Sequence, residues 1–173
     1  AVTAEGASLC YRTIVSESAK ILGQNKHPEI SLHNYSFDEI ASVQLKKDWE
    51  GLSVLLASSV KKLAATGADF AIMPANSTHY AIELIRQKSS IPLLSIVEIT
   101  VEEVRRRQFK KFAILGIGMT MTDGLYEKPL KELGIEPVIP TKKQQEIINK
   151  VILENIIPGK TTDESTEQVI EVL

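Results

Sequence analysis

The sequence contains a single cysteine, Cys10, among 173 residues. A disulfide framework or a zinc site built from several cysteines is therefore impossible within this chain. Long hydrophobic runs are also missing, since no stretch approaches the roughly 18 consecutive apolar residues of a membrane span. Glycine and proline occur at ordinary levels, 9 and 7 residues, and this excludes collagen-like and low-complexity proteins.

The sequence also lacks an excess of charge of one sign. Lysine and arginine number 20 against 22 aspartate and glutamate residues, so a strongly basic nucleic-acid-binding protein is not expected. The first ten residues, AVTAEGASLC, have no basic start followed by an apolar run, and no signal peptide is expected. These features favour the reducing cytoplasm, with neither a membrane nor a nucleic acid as partner.

What the sequence does contain is an alternation of strand and helix patterns. Strands are predicted over residues 30–37, 68–73, 91–97, 112–115 and 136–139. Helices are predicted over residues 4–22, 37–45, 49–65, 80–87, 100–107, 125–133, 141–156 and 163–173. This alternation predicts an α/β fold in which a mainly parallel sheet is covered by helices on both faces.

A basic run at residues 105–111, RRRQFKK, suggests a solvated linker between two similar α/β lobes. A nucleic-acid patch is the less favoured interpretation, because no set of stacking aromatic residues accompanies the run. The predicted lobes are residues 1–107 and 108–173. A parallel lobe normally opens with a buried strand, whereas this chain opens and ends with helices. We therefore expect a further strand at each end.

Loops that leave the carboxyl ends of parallel strands lie at one edge of the sheet, where ligands bind. This rule alone selects a set of polar positions: Ser36, Asp38, residues 76–79, Ser95, Glu98, residues 120–123 and Thr141.

The most informative stretch is GADFAIMPANSTHY, residues 67–80. A buried strand ends at Pro74, and a small residue, an amide, two hydroxyls and an imidazole follow where the next helix begins. The amides of a helix N-terminus favour an anion, and the side chains add donors, so a carboxylate or phosphate would suit this loop. A simple Asn, Ser or Thr cap without a ligand is the alternative, and both interpretations stay open.

This stretch resembles the aspartate/glutamate racemase family, whose members carry a GADFIVIP-type strand followed by Cys-Asn-Thr-x-His. Three further stretches match in order, so that the resemblance covers essentially the whole chain. They are SFDEI with a downstream DW at 36–49, LGIGMTMTDGLYEKPLKELGIEPVIP at 115–140, and IIPGKTTDES at 156–165.

The resemblance implies two similar α/β lobes with the active site between them, and a reaction that needs neither pyridoxal phosphate nor a metal. Two cysteines, one per lobe, face the substrate Cα from opposite sides. One thiolate removes the α-proton and the other thiol delivers a proton to the far face. An unperturbed thiol has a pKa near 8.5, so nearby donors must help to form the thiolate. A homodimer is also implied.

Ala75 stands where the resemblance places the first catalytic cysteine, and it has no proton to transfer. The second cysteine belongs to a Gly-Cys-Thr-Glu turn that would follow residue 173. The Gly-rich first strand of the family is missing or altered at residues 1–3. Three explanations for Ala75 stay open: an engineered substitution, a natural variant with one cysteine, or a family member that has become a binding protein.

The resemblance also assigns binding residues. Asn76 and Ser77 match the contacts of the substrate carboxylate, and Thr120 matches a threonine of the second-lobe loop. Thr78 is included as a substrate contact although a capping role suits it better. His79 either orders the site or serves the structure.

Other residues have weaker support as functional candidates. Ile117 replaces a family threonine, and Cys10 is best explained as a small buried hydrophobe. Lys160 follows a glycine in a turn and is expected to be solvated, although it could approach the site. His27 and His33 have no partners at metal-ligand spacing, so no metal site is expected.

The sequence therefore predicts a cofactor-independent racemase of an acidic amino acid, aspartate or glutamate, impaired by Ala75. The alternative is a non-catalytic protein that binds a small dicarboxylate or an amino acid. A member of the same superfamily that acts on a different acid is a further possibility.

Overall fold

The computed structural model describes residues 2–173. The chain divides into two compact units, the first ending at Leu94 and the second running Ser95–Leu173. The predicted lobe boundary after Arg107 stays a prediction. An altered first strand was expected over residues 1–3. Residue 1 of this segment lies outside the described residues. No helix in the described part of the chain is long and apolar enough to cross a membrane.

The first unit places a pair of parallel strands among helices. Its elements are α1 (Ala4–Leu22), α2 (Phe37–Leu45), α3 (Trp49–Ala65), β1 (Ala71–Ile72), a 3₁₀ turn (Ser77–Ala81), α4 (Ile82–Lys88) and β2 (Leu93–Leu94). β1 and β2 pair in parallel, with Ala71 opposite Leu93. Ile40 of α2, Leu52 of α3 and Ile85 of α4 are completely buried in one core, which fixes the helices against β1.

The second unit repeats the same arrangement. Its elements are α5 (Ile96–Arg106), β3 (Lys111–Ala113), α6 (Gly118–Thr122), α7 (Glu127–Glu132), β4 (Glu136–Val138), α8 (Lys142–Val151), a π-helical turn (Ile152–Ile156) and α9 (Asp163–Ile170). β3 and β4 pair in parallel, with Phe112 opposite Pro137. Val104 of α5 and Leu130 of α7 pack in its core. Both units thus confirm the α/β class expected from the alternating pattern.

The predicted strand over residues 30–37 is wrong, because the described residues before α2 form no strand there. Side chains rather than backbone bonds attach this segment to α3. His33 Nδ1 lies 2.8 Å from Ser59 Oγ, and the Tyr35 hydroxyl donates to Ser58 Oγ over 3.1 Å. The predicted strand over residues 91–97 is also too long, since β2 ends at Leu94 and Ser95 accepts from the Glu98 N–H as the N-cap of α5.

The basic run lies inside the second unit, at the end of α5. Arg105 pairs with Glu102, and both Arg106 and Arg107 pair with Glu103. Hydrogen bonds from Arg106 and Arg107 lower the pKa of Glu103 to about 2. The three arginines of the run therefore pair with acidic residues of α5, whereas Lys111 pairs with Glu136 of β4.

The contacts of His33 lead us to expect that the stability of the first unit depends on pH. Lys62 Nζ is a donor that lies 3.1 Å from His33 Nε2, so Nε2 accepts and Nδ1 donates to Ser59. Burial, and then the charge of Lys62, lower the pKa of His33 below its ordinary 6.5. The unfolded chain therefore takes up a proton before the folded chain does as the pH falls.

We expect the free energy of unfolding to fall as the pH drops from 7 through 6.5 towards the lowered pKa of His33. Above that window the contribution is fully present. Urea unfolding at several pH values should show this slope in the wild type and a shallower one in His33→Gln. Equal slopes in the two proteins would contradict the assignment.

Candidate functional site

The loop after β1 gathers five predicted site residues. Ala75 and Asn76 are half-buried, whereas Ser77, Thr78 and His79 are buried in the 3₁₀ turn that follows. The described structure contains no side-chain cap from Asn76 to this turn. The capping alternative for Asn76 is therefore not the arrangement observed.

The backbone at Ala75 is held by two side chains of the same turn. Thr78 Oγ1 donates to the Ala75 carbonyl over 2.7 Å, and His79 Nδ1 lies 2.9 Å from the same oxygen. A carbonyl only accepts hydrogen bonds, so His79 carries a proton on Nδ1. These two bonds fix the direction in which the Ala75 side chain leaves the backbone. A ligand contact by Thr78 or His79 stays a prediction.

Ser77 has a partner that was not among the residues predicted from the sequence. Gln44, at the end of α2, donates from Nε2 to Ser77 Oγ over 3.0 Å, and both side chains are buried. Because Gln44 fills an acceptor position of the hydroxyl, the Ser77 hydrogen is left to be donated to a second group. A carboxylate is such an acceptor. The spacing of Gln44 four residues after the buried Ile40, on one helix face, is the signal that could have revealed it.

An aromatic pair fixes the far side of the 3₁₀ turn. The rings of Trp49 and Tyr80 are stacked, with centroids 5.1 Å apart and planes 23° apart. Trp49 begins α3 and packs against the core of the first unit. The turn that carries Asn76 and Ser77 is thus anchored at both of its ends.

Thr120 lies in the second unit, on α6, and its side chain is buried. Its N–H donates to the Ile117 carbonyl over 2.9 Å. Thr120 packs directly over Gly116, where an added Cβ would come within 2.9 Å of both Thr120 Cβ and Cγ2. The loop can therefore take this form only with glycine at position 116.

Most other polar positions at the predicted edge serve the backbone. Ser95 caps α5, and Thr141 donates its N–H to Gln144 at the start of α8. Thr122 donates to the Gly118 carbonyl and lies within 2.9 Å of Asp123. Ser36 precedes α2 and, in the described structure, makes no side-chain cap.

The remaining candidates lie elsewhere on the two units. Cys10 is half-buried beside a cavity of about 70 Å³, whose lining includes Leu63 and Pro74. Lys160 is exposed. His27 is exposed and bonds the Pro28 carbonyl. Within residues 2–173 the structure contains no group of three or more His, Cys, Asp or Glu side chains that could hold a metal ion.

Comparison with known proteins gives the family. A profile of the Asp/Glu/hydantoin racemases matches residues 2–173, and the chain belongs to this family. It is 35% identical over 105 residues to the broad specificity amino-acid racemase RacX of Bacillus subtilis. That match covers 61% of this chain and 45% of RacX, so the chain spans about half the length of this relative.

Solved structures of the family share the fold. A candidate Asp/Glu racemase from Yersinia pestis superposes with a TM-score of 0.82 at 28% identity, covering 97% of this chain and 74% of that one. An aspartate racemase homologue from Pyrococcus horikoshii superposes with a TM-score of 0.74, also at 28% identity, covering 90% of this chain and 69% of that one. The expected resemblance and the α/β fold are thereby confirmed.

Proposed function

We propose that this chain belongs to a cofactor-independent racemase that acts on an acidic amino acid, aspartate or glutamate. Proton transfer at Cα uses a thiol, and Ala75 removes one of the two acid–base groups. The observation that carries this proposal is the turn after β1. There a buried hydroxyl at Ser77 is kept as a donor next to the position from which a catalytic side chain would extend.

The roles of the residues follow from the chemistry of the step. When Cα loses its proton, negative charge builds on the substrate carboxylate, and donors aimed at it stabilise the transition state. Asn76 and Ser77 supply such donors in the first unit, and Thr120 supplies one in the second. Thr78 and His79 act indirectly, because their hydrogen bonds to the Ala75 carbonyl fix the backbone at that residue. We further propose that the protein is cytoplasmic and works as a homodimer. Light scattering would test the dimer.

The experiment that tests the proposal is a calorimetric titration of the full-length protein. Both enantiomers of aspartate and glutamate are compared with alanine, which lacks the second carboxylate. We expect the acidic amino acids to bind at least about tenfold more tightly, a difference of about 1.4 kcal/mol. Equal affinity for alanine, or no binding of any of them, would reject the acidic substrate.

Gln44 gives a sharper test of the same site. In Gln44→Glu the new carboxylate only accepts hydrogen bonds, so the Ser77 hydrogen turns towards it and away from the ligand. We expect the Kd for the acidic amino acid to rise about tenfold or more. Gln44→Met removes the donor without adding charge and should weaken binding less. If Gln44→Glu binds as the wild type does, Ser77 is not the carboxylate donor.

The one observation that favours a second function is Ala75 itself. Its methyl group transfers no proton, so a protein that only binds a small dicarboxylate or an amino acid would need no other residue at this position. Tight binding without exchange of the α-proton would distinguish this protein from a racemase.

A further inference from the structure

The short helix α6 lacks a local cap. Its first residue is Gly118, and the residue before it, Ile117, has a side chain without any acceptor. The first N–H groups of a helix have no partner within the helix and need one from elsewhere. Here Asn149 of α8 supplies it, because its Oδ1 accepts from the Gly118 N–H over 3.0 Å.

Asn149 is well placed to hold this bond in one geometry. Its neighbours on α8, Ile148 and Val151, are each 2% exposed, and α8 packs against α6 and α9. The α8 N-terminus is closed by the bond from the Thr141 N–H to Gln144 Oε1 over 2.9 Å. A half-buried amide on such a helix presents its oxygen to α6 from a fixed position.

We propose that Asn149 is a positioning residue that holds the α6 loop so that Thr120 can meet the ligand. Thr120 lies two residues after Gly118, and its own N–H is bonded back to Ile117. A shift of Gly118 would therefore also move Thr120 and disrupt its close packing against Gly116. This inference rests on the proposed function, because Thr120 contacts the substrate only if that function holds.

The assignment also explains how the loop does without a local cap. A threonine at position 117 could accept from the second or third N–H of the helix, as N-cap threonines do. With isoleucine there, the first turn is instead held through the Gly118 N–H, which donates to Asn149 Oδ1. The Ile117→Thr substitution should therefore make the loop less dependent on Asn149, and the two positions should be energetically coupled.

The experiment uses the full-length protein and two readouts, amide hydrogen exchange at Gly118 and the Kd for the acidic amino acid. We expect Asn149→Ala to speed exchange at Gly118 about tenfold or more and to raise the Kd about tenfold. Adding Ile117→Thr should recover a large part of that affinity. Asn155→Ala is the matched control, since the Asn155 side chain donates to the nearby Lys160 carbonyl over 3.3 Å, and the Kd of this variant should stay within about twofold of wild type.

Three outcomes would overturn the proposal. Faster exchange at Gly118 with an unchanged Kd would mean that Asn149 serves structure alone, and a failure of Ile117→Thr to recover affinity would remove the coupling. Asn149→Asp keeps the acceptor and should leave Gly118 protected, so lost protection there would also contradict it. If the wild type binds no amino acid, both the proposed function and the ligand role of Thr120 are rejected. Exchange at Gly118 would still report whether Asn149 holds the loop.

Discussion

Ala75→Cys is expected to raise the racemisation of aspartate or glutamate by the full-length protein about 10²–10⁴-fold, the range typical of one positioned acid–base group. Ala75 is half-buried directly after Pro74, and its carbonyl is held by Thr78 and His79. A sulfur added to its Cβ would therefore leave the backbone in a fixed direction. The donors of the turn after β1 would help to form its thiolate.

Ala75→Ser is the control for this prediction, because it adds a hydroxyl oxygen, smaller than sulfur, at the same place on Cβ, and the proton of that hydroxyl is far harder to remove. Polarimetry or chiral chromatography of the product would follow both variants. A cysteine variant that binds the amino acid but turns over no better than wild type, or no better than the serine variant, would count against Ala75 as a lost catalytic position.

Gly116→Ala is expected to destabilise the second unit by about 1–3 kcal/mol, as overpacking a close contact does. The added Cβ would meet Thr120 Cβ and Cγ2 at 2.9 Å, so that either the loop or the α6 backbone must move. Because Thr120 is displaced directly, the Kd for the acidic amino acid should rise about tenfold or more. Denaturant unfolding and calorimetry would measure the two effects.

The same loop offers a matched comparison for the stability readout. At Gly118 an added Cβ meets only Asn149 Oδ1, at an ordinary contact distance of 4.0 Å. Alanine is favoured over glycine within a helix by about 0.5–1 kcal/mol, so Gly118→Ala should leave the stability unchanged or raise it. Equal losses of stability in both variants would show that the contact with Thr120 does not determine the effect.

Much of the fold could be predicted from the sequence, because its signals are local. The strand before Pro74 and the apolar spacing of α3 depend on residues close together in the chain, although that strand covers only Ala71–Ile72 of the predicted 68–73 and Ile72 is exposed. The strand prediction for residues 30–37 was wrong because the alternating pattern there reflects attachment to α3 by His33 and Tyr35 rather than pairing in a sheet. Periodicity alone does not distinguish these two causes.

The site was predictable only in part, for a related reason. The run from Ala75 to His79 is contiguous, so that its chemistry can be read in one place. Gln44 and Asn149 act on residues 33 and 31 positions away, through single side-chain bonds. Only the folded chain brings these distant residues together, and the local sequence pattern does not predict them.

The proposed proton transfer is tested by exchange of the α-proton with deuterated water, followed by proton NMR for each enantiomer of aspartate and glutamate with the full-length protein. With Ala75 in place of one acid–base group, we expect exchange of one enantiomer only, because each presents its proton to a different face of the site. Exchange of both enantiomers would mean that another group replaces the first cysteine. Binding without exchange of either would contradict racemase chemistry and leave a binding protein.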